Sequence, residues 1–167
     1  MKIVLGTSSK WRKAVFEEIT SDFEVMHPDI DEKAIRIEDP VELVLALAHA
    51  KADALVSKIA DPAILITCDM VTTSNGVILE KPESTDEVRY NLGNYHLYPP
   101  STISAVVVTN TQTGERYDGV DISEVYFEKI PADVIENLIE KGEVFTCAGG
   151  YSIQDPLRKC YVKSING

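Results

Sequence analysis

Ser9, Arg12, Lys51, Asp69 and Lys81 are side chains of the types that together can hold a phosphorylated anion and cut it. Ser8-Ser9-Lys10-Trp11-Arg12-Lys13 follows an apolar run and opens a helical pattern. Helix N-termini offer free backbone N–H groups and the positive end of a dipole, which suit phosphate. Three cations in that turn are locally unfavourable unless an anion arrives, although a capped surface helix would read the same way. Lys51 falls on the apolar stripe of a second helix, four residues before Leu55, where an ammonium must either snorkel to water or meet a negative partner. Asp69 comes directly after the apolar run Ala63–Cys68, at the strand end where open α/β folds place ligands. It can hold Mg²⁺ or activate water there, or simply form a turn. Glu80-Lys81-Pro82 puts a lysine between a strand and a capped helix, and Asp29-Ile30-Asp31-Glu32 adds acidic groups able to bind metal. In Ala148-Gly149-Gly150-Tyr151-Ser152-Ile153-Gln154 the paired glycines permit close backbone approach, and Gln154 could read a base edge.

The elements that must carry these residues alternate between strand and helix. Lys2–Gly6 reads as a strand and Ser9 to about Ile19 as a helix with Ser9 as N-cap. Asp39-Pro40-Val41-Glu42 starts a helix that runs to about Ile59, with Val44, Leu47, Ala48 and Leu55 at helical spacing. Ala63–Cys68 is a buried strand, and Asn75-Gly76 joins it to Val77–Leu79 as a hairpin. Ser84-Thr85-Asp86-Glu87 opens a third helix. Thr102–Thr109 and Glu124–Phe127 are strands, and Pro131–Lys141 is an amphipathic helix ended by Gly142. The expectation is an α/β fold, a single domain over residues 1–167, with a twisted mixed β-sheet flanked by helices.

Bulk properties set the limits. At 167 residues the chain can bury a core without disulfides or metal staples. Its 44% hydrophobic and 26% charged content is that of a globular protein, and no segment approaches the roughly 20 apolar residues of a membrane span. Cys68, Cys147 and Cys160 show no CxxC spacing, and the start carries too short an apolar run for a signal peptide, so free thiols in the cytoplasm are expected. His27, His49 and His96 form no zinc-type pair. A net charge of −11 without a basic stripe argues against a nucleic-acid partner. Any polyanion must then be met by cations gathered at one place or by a divalent metal.

Taken in order, the segments resemble the Maf (septum-formation-protein-like) family of nucleotide pyrophosphatases over nearly the whole chain. The resemblance rests on Thr7 to Arg12, Asp29–Glu32, Ala48-His49-Ala50-Lys51-Ala52, Asp69 after an apolar strand, Lys81-Pro82, and Ala148 to Gln154. It implies a fold related to inosine triphosphate pyrophosphatases. It also implies hydrolysis of a nucleoside triphosphate between its α- and β-phosphates, with Mg²⁺ or Mn²⁺. Ser9, Arg12, Lys51 and Lys81 would hold the phosphates. Asp69 would be the acid–base residue, with Glu32 assisting it or the metal. Trp11, Met70 and Gln154 would face the base. A homodimer is a further implication, and a role in house-cleaning of modified nucleotides or in division control is another. The alternatives are an inosine-triphosphatase-type enzyme and a non-catalytic nucleotide-binding regulator of cell division.

Some positions depart from the family pattern. Trp11 stands for the first arginine of a pair, Lys10 for a proline, and Met70 for Thr or Gln. Cys147 stands where the pyrimidine branch has lysine. Trp11 and Cys147-Ala148-Gly149 resemble the 7-methyl-GTP branch, whereas Tyr151 and Ile153-Gln154 resemble the dTTP/UTP branch. The chain reaches Gly167 without the Gly-Leu-Pro loop and last helix expected of the family.

Overall fold

The computed structural model describes residues 1–153 and 155–167, so the expectation for Gln154 lies outside the described residues. It is an α/β fold with a mixed seven-stranded sheet flanked by helices, as the sequence leads one to expect. The strands are β1 (Lys2–Gly6), β2 (Glu24–Met26), β3 (Ala63–Ser74), β4 (Val77–Leu79), β5 (Ser101–Asn110), β6 (Arg116–Phe127) and β7 (Val162–Asn166). Their order is β2-β1-β3-β5-β6-β7, with β4 paired to β3. The helices are α1 (Lys10–Glu17), α2 (Pro40–Val56), α3 (Thr85–Asn94), α4 (Ala132–Lys141) and α5 (Pro156–Lys159). The chain divides into two compact units, Met1–Met70 with Ser104–Val120, and Val71–Ile103 with Asp121–Gly167.

In the first unit β1 runs parallel to both β2 and β3, with Val4 opposite Glu24 on one side and Leu65 on the other. Strands flanked in this way are covered on their faces, which is why Val4, Leu5 and Leu65 are buried and the sequence there is continuously apolar. Helix α2 supplies Leu43, Val44, Leu47, Ala48, Ala52 and Leu55 to the same core. Full burial of each Leu or Val contributes about 1.5–3 kcal/mol. Asp39 caps α2 by accepting from the N–H groups of Val41 and Glu42, both at 2.9 Å. The helix stops at Val56, short of the expected end near Ile59; likewise α1 ends at Glu17 and not near Ile19.

In the second unit β3 and β4 form the expected hairpin through Asn75 and Gly76, at φ 51° and 75°. Positive φ at both positions is what a tight hairpin turn demands, and Asn-Gly meets it at little cost. Ser84 caps α3, accepting from Glu87 N–H at 3.2 Å. The Glu87 carboxylate reaches back to accept from Glu83 N–H at 3.0 Å, one residue beyond the N-cap N–H that a standard capping box uses. Helix α4 ends on Gly142 at φ 77°, its left-handed cap. Val88, Leu92, Val125, Phe127, Ile135 and Leu138 make the centre of this unit's core.

Two strand assignments need correction. The strand seen in the sequence as Ala63–Cys68 continues to Ser74, so Asp69 sits inside β3 and not after it. Of the extra residues, Val71, Thr72 and Thr73 are β-branched, and Thr72, Thr73 and Ser74 pair with β4, which carries the strand through the polar positions. Strand β6 begins at Arg116, well before Glu124, and β7 was not expected at all. Both stretches are largely exposed, so their residues lack the apolar alternation that marks a half-buried strand.

Candidate active site

The first unit brings four of the expected side chains together. Lys51 is 3% exposed and Asp69 6%, so this lysine does not snorkel to water. Its Nζ donates to Asp69 Oδ1 and forms an ion pair with Glu32 Oε1 at 2.8 Å. Arg12 completes the group, with Nη2 at 3.7 Å from the same Asp69 oxygen and Nη1 donating to the Cys68 carbonyl at 3.3 Å. Two cations thus face two carboxylates, and the cluster is electrically balanced. That balance is what permits burial, since an isolated charge at the Lys51 or Asp69 position would cost several kcal/mol.

Local sequence explains the placement. Alternation along β3 turns Leu65, Thr67 and Asp69 to the buried side and leaves Met70 44% exposed. Thr67 Oγ1 donates to the Ala48 carbonyl at 2.8 Å, tying β3 to α2 one helical turn before Lys51. At the end of β1, a methyl group on Gly6 would come within 2.6 Å of Leu55 Cδ1 and 2.7 Å of Thr67 Cγ2, so only glycine lets these elements close up. The chain then turns. Thr7 N–H donates to the Met26 carbonyl at 2.9 Å, and Ser9 N–H donates to Thr7 Oγ1 at 3.1 Å. Ser9 is the N-cap of α1, accepting from Arg12 N–H at 3.4 Å, and this presents Arg12 from the first turn toward β3. Glu32 starts a single 3-10 turn, Glu32–Ala34, capped by Asp31.

Burial pushes the Cys68 thiol up from its ordinary range, against the pull of Arg12 and Lys51. The thiol therefore stays protonated near neutrality, and Arg12 meets Cys68 through its backbone carbonyl. Trp11 is 51% exposed, and Lys10 Nζ lies 5.1 Å from its ring centroid. One face of the indole thus already carries a cation. Lys81 belongs to the second unit, where it is exposed in the segment between β4 and α3.

Three features had no reading in the sequence. Arg158 is 1% exposed and donates from Nη1 to the Gly150 carbonyl. Tyr95 is 1% exposed and donates to the Gly149 carbonyl at 2.6 Å. His49 pairs with Asp118 at 3.0 Å on the first unit's surface. A cation inside a short capped segment such as Asp155-Pro156-Leu157-Arg158 was the available signal for the first of these. Among the described residues no group of three or more His, Cys, Asp or Glu is placed to hold a metal, and no helix is long and apolar enough to cross a membrane.

Residues 2–167 match the family model described as Maf-like protein, and the chain belongs to the Maf family. It is 42% identical over 159 residues to a 7-methyl-GTP pyrophosphatase from Dictyostelium discoideum, covering 91% of this chain and 81% of that protein. It is 32% identical over 168 residues to a dTTP/UTP pyrophosphatase from Clostridium perfringens (strain SM101 / Type A), covering 100% of this chain and 87% of that one. Among solved structures, a nucleoside-triphosphatase (dITP/XTP pyrophosphatase) from Mycobacterium abscessus is similar with a TM-score of 0.45 and 12% identity, over 79% of this chain and 76% of that one.

Proposed function

We propose that this chain, a nucleotide pyrophosphatase of the Maf family, hydrolyses a nucleoside triphosphate to the monophosphate and pyrophosphate through the cluster of Asp69, Lys51, Glu32 and Arg12. The observation that carries the reading is the buried Asp69 held by Lys51 through Oδ1, with Arg12 Nη2 at 3.7 Å from that same oxygen. Asp69 Oδ2 takes the proton of a water that attacks the α-phosphorus. The α–β bridging oxygen departs with its electron pair on pyrophosphate. Lys51 fixes the carboxylate's orientation, and Glu32 steadies Lys51 from the solvent side. Arg12 and the N-terminus of α1 at Ser9 bind phosphate oxygens and stabilise the charge gathering on the leaving group, and the family resemblance gives Lys81 a phosphate-binding role as well.

A divalent cation fits the donor set. Asp69 and Glu32 are hard oxygen donors that meet at one ammonium, and Mg²⁺ ordinarily takes one or two protein carboxylates together with substrate phosphates and water. Bound there, Mg²⁺ or Mn²⁺ would neutralise phosphate charge and polarise the bond being cut. The enzyme acts in the cytoplasm on free nucleotide, as a homodimer, without nucleic acid or membrane.

For the base, 7-methyl-GTP is the first choice. The exposed indole of Trp11 can stack a cationic methylated purine on the face away from Lys10, a cation–π contact of about 0.5–2 kcal/mol. Met70, exposed beside Asp69, would flank the base, and Gln154 would contact its edge. The Clostridium relative favours dTTP or UTP as a second reading. Pyrophosphate release across a panel of nucleotides, with Mg²⁺ and with excess chelator, tests the whole assignment. Release of orthophosphate, or full turnover in chelator, would overturn the mechanism. A Trp11→Arg variant should move the kcat/KM ratio toward the pyrimidines, and an unchanged ratio would remove Trp11 from the base site.

A further inference from the structure

The second unit holds a two-residue turn with more fastenings than a loop of its length needs. Gly149 and Gly150 adopt φ 62° and 67°, consecutive left-handed residues. Both are buried. The Gly149 carbonyl accepts from Tyr95 Oη at 2.6 Å and from Asn91 Nδ2 at 3.4 Å. The Gly150 carbonyl accepts from Arg158 Nη1. The Gly149 N–H donates to the Glu80 carbonyl at 2.8 Å. A methyl group on Gly149 would come within 2.4 Å of Tyr95 Oη and 2.7 Å of Leu79 Cδ1, so the packing around the turn has no slack.

The donors are costly ones. Arg158 is buried with its Nε unpaired, and burial lowers its pKa from the ordinary arginine range. Burial likewise pushes the Tyr95 phenol well above the usual range, so it remains a donor at any physiological pH.

What the turn holds is the residue beside Lys81. Its N–H grips the carbonyl of Glu80, and on the other side of Lys81 the buried Pro82 lies 3.6 Å from the position a Gly150 Cβ would take. An exposed lysine therefore rises from backbone pinned on both flanks. We propose that Tyr95 and Arg158 are positioning residues for Lys81, acting through the Gly149-Gly150 turn. This rests on the assignment of Lys81 to the phosphates made above, and it goes beyond that assignment by naming what aims the lysine.

The test is a double-mutant cycle on the full chain, reading pyrophosphate release per folded molecule together with thermal unfolding. Tyr95→Phe removes one hydroxyl and should raise KM roughly 3- to 10-fold, the size of one lost hydrogen bond passed on to a ground-state contact. In a Lys81→Ala background the same change should cost less than 2-fold, because no amine is left to misplace. Arg158→Met should behave likewise, and Arg158→Lys should recover part of the loss. Where Arg158→Met fails to fold, the Tyr95 cycle decides alone. A lower Tm with KM unchanged, or equal costs in both backgrounds, makes these residues purely structural and overturns the proposal while Lys81 keeps its role. A Lys81→Ala enzyme with normal kinetics overturns both.

Discussion

Replacing Asp69 by asparagine changes one oxygen for an amide nitrogen and removes one charge from a balanced group of four. The side chain is nearly isosteric, so β3 should keep its course and Thr67 its bond to Ala48. Lys51 would retain Glu32 at 2.8 Å, and Arg12 would retain the Cys68 carbonyl. Because Glu32 is 55% exposed, the surviving pair is partly screened and the buried ammonium is left under-compensated. Losing one partner of a buried pair outright costs about 3–5 kcal/mol. With Glu32 still in place, the expected loss is about 1–3 kcal/mol, in the range of a single lost charged hydrogen bond. The kinetic effect should be larger. Removal of a positioned base lowers kcat roughly 10²–10⁴-fold, or about 2.7–5.4 kcal/mol of barrier. Binding of the triphosphate should not weaken electrostatically, since the cluster gains a net positive charge. Pyrophosphate release with wild type and variant, each normalised to the folded fraction from thermal unfolding, separates the two effects. A variant whose kcat per folded molecule stays within about 3-fold of wild type would show that Asp69 only anchors Lys51, and the mechanism would have no base.

Lys51→Ala should lower kcat far more than it changes KM, since it loosens Asp69 without removing a phosphate contact, and should lower stability by about 3 kcal/mol, because it leaves the buried Asp69 with Arg12 alone at 3.7 Å; thermal unfolding and steady-state kinetics read both, and an unchanged enzyme would return Lys51 to a packing role. Iodoacetamide near pH 8 should modify the exposed Cys160 well before Cys68, whose raised pKa leaves little thiolate. The same shift has a sign for stability. The fold favours the protonated Cys68 thiol, so it contributes nothing adverse below the ordinary thiol range and destabilises progressively as pH rises through it, which unfolding at pH 8 and pH 10 in a Cys68→Ala comparison would reveal.

Sequence periodicity shows where Lys51 sits, on the apolar stripe of α2, but not what it meets. Its partners Glu32 and Asp69 are far from it in the chain, and only the parallel pairing of β1 with β3 and the packing of α2 make them neighbours. Helix starts are the most legible features, because Ser9, Asp39 and Ser84 cap through bonds to the next few residues. Strand ends are the least. Asp69 reads as a residue beyond a strand because a carboxylate breaks the apolar run, and nothing local reveals that the strand passes through it. The clamp on Gly149 and Gly150 is hidden for a similar reason. A tyrosine and an arginine in polar surroundings look exposed until distant packing buries them.

The lysine between two carboxylates also has a consequence for the protein at rest. Many sites that bring acidic groups together for a metal suffer like-charge repulsion when the ion leaves, and they loosen or melt. Here an ammonium tethered to α2 pairs with both carboxylates, so without an ion they do not face each other bare. The melting temperature should be the same in chelator as in millimolar magnesium, and the site should remain assembled between turnovers, since ions that bind the folded state weakly stabilise it little.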